Sequence, residues 1–250
     1  MTLWTIEALP LYRFRVPGPE VLFQRGFGEM IDMVIYAFVL QGDGKTVIVD
    51  TGLPADFTAL NATIRSRKGP EAGFHPVGQP LQSQLAERGL TIDAIVLTSF
   101  GPYAVGGLAD LAAVPIHASA RGLADLRTPE EPALLHPIPG SAWRALAAAA
   151  PFDGEAEPMP GLTLVETGIH HPASAAVIVR TAEGSVAIAD PVFTRRNLVE
   201  GLPLGAAEHA AGWHGMVRQL AIGADAIIAI HDPDPSPLPR DLWHRSFETR

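Results

Sequence analysis

Runs of β-branched and aromatic residues, each closed by a cluster of turn formers, set the pattern of this chain. Met33–Leu40 is such a run and Thr46–Asp50 is another. Gln41–Lys45 between them carries Gly42, Asp43 and Gly44, which predicts a hairpin. Thr51–Pro54 breaks the return strand. Ile92–Thr98 reads as a buried strand, Ser99–Ala104 as a loop, Val105–Leu111 as the opening of a helix and Pro115–Ala118 as a short strand. Later, Leu162–Val165, Ser174–Thr181 and Ser185–Ala189 read as strands, the last two joined at Glu183 and Gly184, and Ala226–Ile230 reads as a final buried strand. Helical spacing marks Leu81–Gly89 with Gly89 as its stop, Ser141–Ala150 with Ser141 as its cap, and Ala206–Ala221. Segments 65–80 and 128–140 are rich in Pro or Gly and read as loops, and Asp232–Pro239 reads as an exposed tail.

Strand hairpins alternate with strand-helix units in both halves, which fits mixed sheets flanked by helices better than a purely parallel sheet. No flexible linker or internal repeat divides the chain. The expectation is one α/β (α+β) domain over residues 1–250.

Composition narrows the chemistry. The net charge is -9 and no basic stripe is visible, so a nucleic-acid partner is not expected. Cysteine is absent, which removes disulfides, thiolate ligands and a cysteine nucleophile. Any metal would need histidine and carboxylate donors. Met1–Pro10 lacks a cationic stretch followed by an apolar run, and no apolar stretch reaches the ~18 residues of a membrane span. The expectation is a soluble cytoplasmic protein without a membrane partner.

Four landmarks then fall in order: a strand ending in Asp50, Thr51 and Gly52; a strand, loop and helix over Ile92–Leu111; a turn over Thr167–Ser174; and Asp190 and His231 each at a strand end. Over roughly residues 30–235 the chain resembles the metallo-β-lactamase superfamily, in particular its N-acyl-homoserine lactonase-like branch. The resemblance implies a four-layer αββα sandwich. That family carries its first metal ligands in a Thr-His-x-His-x-Asp-His-x-Gly-Gly segment. Here Thr98, Gly106 and Gly107 keep the frame, while the ligand positions hold Ser99, Gly101, Tyr103 and Ala104. His170, Asp190 and His231 fall where the family has its third-block histidine, its bridging carboxylate and its last histidine. Phe193 stands where the branch often has a substrate-positioning Tyr.

What the resemblance implies is therefore divided. Two metals sharing an activated water would each need about three protein ligands, and the altered segment supplies none, so no dinuclear centre is expected. One divalent ion held by His170, Asp190 and His231 is a remnant the residues allow, as is a polar pocket in which they bond to one another. Ser99 with His170 or His231 and Asp190 could form a nucleophile, base and orienter. Tyr103 could donate to a ligand carbonyl or simply fill the space of a lost metal. Asp50, Gly106 and Gly107 read as structural. His171 is expected to point away from His170, His117 to sit near a strand rim, and most of His75, His136, His209, His214 and His244 to face solvent.

Two functional classes remain open: a hydrolase-like enzyme acting on a small ester, lactone or thioester with one metal or none, and a module on the same fold that binds a small molecule or a partner without turnover. A noncatalytic subunit paired with an active homologue is a third. The resemblance also allows a homodimer, since many relatives pair. Specificity would come from loops 15–30, 65–80 and 128–140, where Phe23, Phe27 and Met30 could line an acyl groove or serve as core or dimer contacts.

Overall fold

The computed structural model describes residues 2–111, 114–127 and 140–243. The chain enters on strand β1 (Thr5–Pro17), a short helix α1 (Gly18–Val21), and strands β2 (Met30–Gly42) and β3 (Lys45–Val49). Helix α2 (Thr58–Lys68), strand β4 (His75–Pro76), helix α3 (Leu81–Glu87) and strand β5 (Ala94–Val96) follow. Next come α4 (Pro102–Val105), β6 (Ile116–Ser119), α5 (Ala120–Arg127), α6 (Gly140–Ala147) and β7 (Ala150–Phe152). The second half holds β8 (Glu155–Met159), β9 (Leu162–Glu166), β10 (Ala175–Thr181), β11 (Gly184–Ala189), α7 (Arg195–Val199), α8 (Trp213–Gly223), β12 (Ala226–Ala229) and β13 (Leu238–Pro239).

These strands form a seven-stranded sheet in the order β4-β1-β2-β3-β5-β6-β7 and a six-stranded sheet in the order β13-β12-β11-β10-β9-β8. Both mix antiparallel hairpins with parallel pairs, β3 with β5 in the first and β11 with β12 in the second. Because successive strand side chains point to opposite faces, the central strands divide their apolar residues between two cores. Phe38, Leu40, Val47, Val49 and Val96 meet Leu162, Leu164 and Val177 between the sheets. Ala37, Val39, Ile48 and Ile95 face the other way, toward Leu81, Leu85, Val105 and Leu146 on the helices. Helix α8 covers the outer face of the second sheet, where Gly223 comes up against Ile178. The result is the expected αββα sandwich.

Several elements differ from the pattern. Strand β1 is not evident in the sequence because Pro10, Arg13 and Arg15 interrupt its apolar residues. It pairs with β2 throughout, and its register shifts between Pro10 and Tyr12, which marks an irregularity beside a residue that lacks an N–H to share. Segment 65–80 is not a plain loop. It contains the end of α2, a 3-10 turn at Pro70–Ala72 and β4. Helix α2 buries only Ile64, so it carries no apolar stripe to read. The loop expected at Ser99–Ala104 holds α4, and the helix expected from Val105 is a 3-10 turn over Gly106–Asp110. The last helix begins at Trp213 rather than Ala206, and Ser141 lies within the first turn of α6 rather than at its cap. The tail Asp232–Pro239 ends in β13, with Leu238 buried. The expected loop 128–139, His136 and His244 lie outside the described residues. Among the described residues no helix is long and apolar enough to cross a membrane.

Candidate active site

Asp50 follows β3, Ser99 lies just beyond β5, Asp190 follows β11 and His231 lies just beyond β12, so four chain reversals converge at the carboxyl ends of two parallel strand pairs. This is where an open mixed sheet places a ligand, because the connecting loops diverge there. His170 and His171 arrive from the bend between β9 and β10.

The loop after β5 is held from both sides. Asp50 is buried and accepts the Thr98 N–H at 2.9 Å and the Thr98 hydroxyl at 2.5 Å. The Thr51 N–H and Oγ1 both donate to the Ala104 carbonyl at 2.7 Å. A methyl group on Gly107 would lie 2.3 Å from the Thr51 carbonyl oxygen, and one on Gly106 would lie 2.3 Å from the Pro54 nitrogen. Both glycines are there because backbone passes where a side chain would be. The structural reading of Asp50 and of the glycine pair thus has a geometric basis.

The polar centre is one bonded network. Asp190 is fully buried and accepts from Ser174 Oγ at 2.6 Å and from His170 Nδ1 at 3.1 Å. Burial alone would raise the Asp190 carboxyl, but His170, His171 and the Ser174 hydroxyl outweigh it and hold the group below its usual range. His171 does not point away. It is buried, its ring lies 4.6 Å from that of His170, and its Nε2 is 2.7 Å from Ser99 Oγ. Burial, helped by His170, pushes its pKa down to about 3, so the ring is neutral. Its Nδ1 accepts the Ala173 N–H, which puts the single ring proton on Nε2 and makes His171 the donor to Ser99. Ser99 Oγ also accepts the Gly101 N–H at 3.0 Å and lies 3.2 Å from the Tyr103 hydroxyl.

The histidine beside Ser99 is therefore His171, not His170 or His231, and it presents a proton rather than a lone pair. His231 is held elsewhere. Its Nδ1 donates to the Val34 carbonyl at 3.0 Å, and burial pushes its pKa down to about 4. Phe193 meets the rings of His170 and His231 edge-on at 5.0 and 4.9 Å and packs between them.

Tyr103 crosses this centre. Its hydroxyl lies 3.5 Å from His170 Nδ1, and its ring meets His231 edge-on at 5.2 Å. The ring passes over Gly101, where a Cβ would be 2.4 Å from Tyr103 Cε1 and 2.5 Å from Cζ. Absence of a side chain at 101 is what lets the phenol lie there. Gly101→Ala is expected to cost roughly 1–3 kcal/mol, as overpacking does, but little in a Tyr103→Ala background. A double-mutant cycle in urea measures this, and equal costs in both backgrounds would refute the coupling.

The donor atoms of His170, His171 and Asp190 all lie within 4.8 Å of one another, close enough to share one ion. His231, the expected third member, stands outside that group. As the hydrogen bonds stand, both nitrogens of His171 are engaged.

A cavity of about 430 Å³ opens above these groups. Its floor is Tyr103, His170, Phe193 and His231, and its walls are Phe14, Val16, Ile64 and Phe74. Glu20, Arg67 and Lys68 also line it. Phe14, Val16 and Ile64 escaped the sequence reading because they belong to β1 and α2, and Phe74 because it lies just before β4 in a segment read as a loop. Phe23 and Phe27, read there as groove candidates, are exposed and do not line the cavity, and Met30 packs half-buried against the core. His117 is half-buried in β6, His75 and His209 are exposed, and His214 is half-buried with its Nε2 3.1 Å from the Gly201 carbonyl.

The metallo-β-lactamase superfamily model matches residues 31–213. The chain belongs to that superfamily. No curated protein matches it in sequence. Among solved structures, an N-acyl homoserine lactone hydrolase with the product N-hexanoyl-L-homoserine at its catalytic metal centre is 17% identical, with a TM-score of 0.76 over 93% of this chain and 95% of that one. A probable metal-dependent hydrolase from Staphylococcus aureus is 13% identical, with a TM-score of 0.73 over 95% and 97%. At such identities the likeness establishes the metallo-β-lactamase fold and no more. It gives this superfamily member a hydrolase-like frame.

Proposed function

We propose that this metallo-β-lactamase-fold protein binds a small acyl ester, lactone or thioester in the cavity and does not carry the two-ion hydrolytic centre of its lactonase-like relatives. The observation that supports this reading is Tyr103, whose ring lies over Gly101 and beside His170 and His231. Positions 99, 101, 103 and 104 offer hydroxyl, hydrogen, phenol and methyl where the resemblance places three imidazoles and a carboxylate, so two ions would lack ligands.

Burial, reinforced by Asp190, raises the Tyr103 hydroxyl well above its ordinary value. It stays protonated and can donate to a carbonyl oxygen. Ser99 Oγ accepts hydrogen bonds from His171 Nε2 and the Gly101 N–H, which uses both of its lone pairs, and its own O–H donates to Tyr103. It has no base to activate it.

A second reading, slow hydrolysis assisted by one divalent ion, draws on the close grouping of His170, His171 and Asp190. Such an ion would polarise the carbonyl as a Lewis acid. Metal analysis of protein purified without chelator, with a panel of acyl lactones and thioesters in thermal-shift and turnover assays, separates the two. We expect stabilisation without product, and about threefold to tenfold weaker binding in Tyr103→Phe for the lost hydrogen bond. More than about one ion per chain, with turnover that a chelator abolishes, would overturn the proposal.

A further inference from the structure

Resting on the reading of the cavity as a binding pocket, we infer that its ligand carries two polar groups: a hydrogen-bond donor that meets His231 on the floor and an anionic group that meets Arg67 on α2, with an apolar body between. The floor end follows from His231. The Val34 carbonyl can only accept, so the ring proton is on Nδ1 and Nε2 keeps its lone pair. The residue is 3% exposed and lines the cavity, and Nε2 has no hydrogen-bond partner among the described residues. Nor is it among the sealed polar atoms left without one, so it opens on the cavity. A ligand N–H or O–H placed there would give this acceptor the partner that the protein does not supply.

The anionic group follows from helix α2. Ile64 lines the wall and Arg67 stands at the end of the same helix. Lys68 is paired with Glu20, whereas Arg67 makes no hydrogen bond or ion pair among the described residues. It is an unmatched cation on a chain of net charge -9. The middle is apolar. Phe14 lies 5.9 Å from His231 and 5.2 Å from Phe74, so aromatic surface runs from the floor toward α2. The volume of about 430 Å³ suits a small molecule.

The test uses calorimetry on the full chain with four ten-carbon probes: ω-hydroxydecanoate, decanoate, α,ω-decanediol and methyl decanoate. We expect ω-hydroxydecanoate to bind about fivefold more tightly than either decanoate or the diol, the range of a single exposed charge pair or neutral hydrogen bond. Arg67→Gln should erase the preference over the diol. His231→Phe should erase the preference over decanoate, and His231→Gln, which keeps an acceptor, should retain part of it. These ratios are taken within each variant, so a general loss of stability does not imitate them. A diol as tight as the hydroxy acid would overturn the anionic end, and decanoate as tight would overturn the donor end. Methyl decanoate binding best would overturn the inference while leaving the binding pocket. Failure of all four to bind would count against the pocket itself.

Discussion

Replacing four side chains, Ser99→His, Gly101→His, Tyr103→Asp and Ala104→His, is expected to raise the metal content of this chain to about two divalent ions. The frame for them is in place. Asp190 is buried behind His170, and His231 is oriented by the Val34 carbonyl, which leaves Nε2 free to coordinate. The loop itself is pinned by Asp50 through Thr98 and by Thr51 through Ala104, so the new side chains would be presented by a backbone that has little freedom to move. Removing the Tyr103 ring supplies the room. Metal content of the purified variant measures the outcome, with Asp190→Ala in the same background expected to lose most of it. A folded fourfold variant that binds no more metal than the parent would show that the frame does not support a two-ion centre.

Asp50→Asn is expected to remove a pH-dependent loss of stability worth on the order of 4 kcal/mol. Burial raises the Asp50 carboxyl from 3.8 to about 7, and Asp190 adds to the rise, although two hydrogen bonds from Thr98 oppose it. The folded chain therefore holds a proton on Asp50 that the unfolded chain releases near pH 4. Stability from this group is complete below that value and is lost as pH rises through about 7. Asparagine suits the position because Asp50 has a φ of 58°, a conformation that Asn also tolerates. The measurement is the stability difference between variant and parent in urea at pH 5 and pH 8. It should shift toward the variant by a few kcal/mol at the higher pH. A difference that does not change with pH would mean that Asp50 is ionised throughout.

The sequence was most legible where hydrophobic runs and turns coincide. The hairpins β2/β3 and β10/β11 form over the predicted runs, with β2 starting earlier at Met30, and the buried strands β5 and β12 lie within the predicted segments. Strand β1 and helix α2 were opaque for opposite reasons: prolines and arginines interrupt the strand, and the helix buries only one side chain. That explains why half of the site was missed. Its polar floor comes from motif positions 103, 170 and 231, whereas Phe14, Val16, Ile64 and Arg67 come from the two unread elements. His171 was misplaced because adjacent residues alternate in direction only along a strand. Residues 169–171 form a bend, where both imidazoles can turn inward.

The contact between residues 101 and 103 also makes the two positions interdependent. A side chain at 101 and the phenol in its present place exclude one another. A chain of this fold with a bulky residue at 101 must therefore swing any ring at 103 aside, which would uncover the imidazoles at 170 and 231. Homologous chains should accordingly covary at the two positions, with glycine at 101 wherever an aromatic ring at 103 roofs that centre.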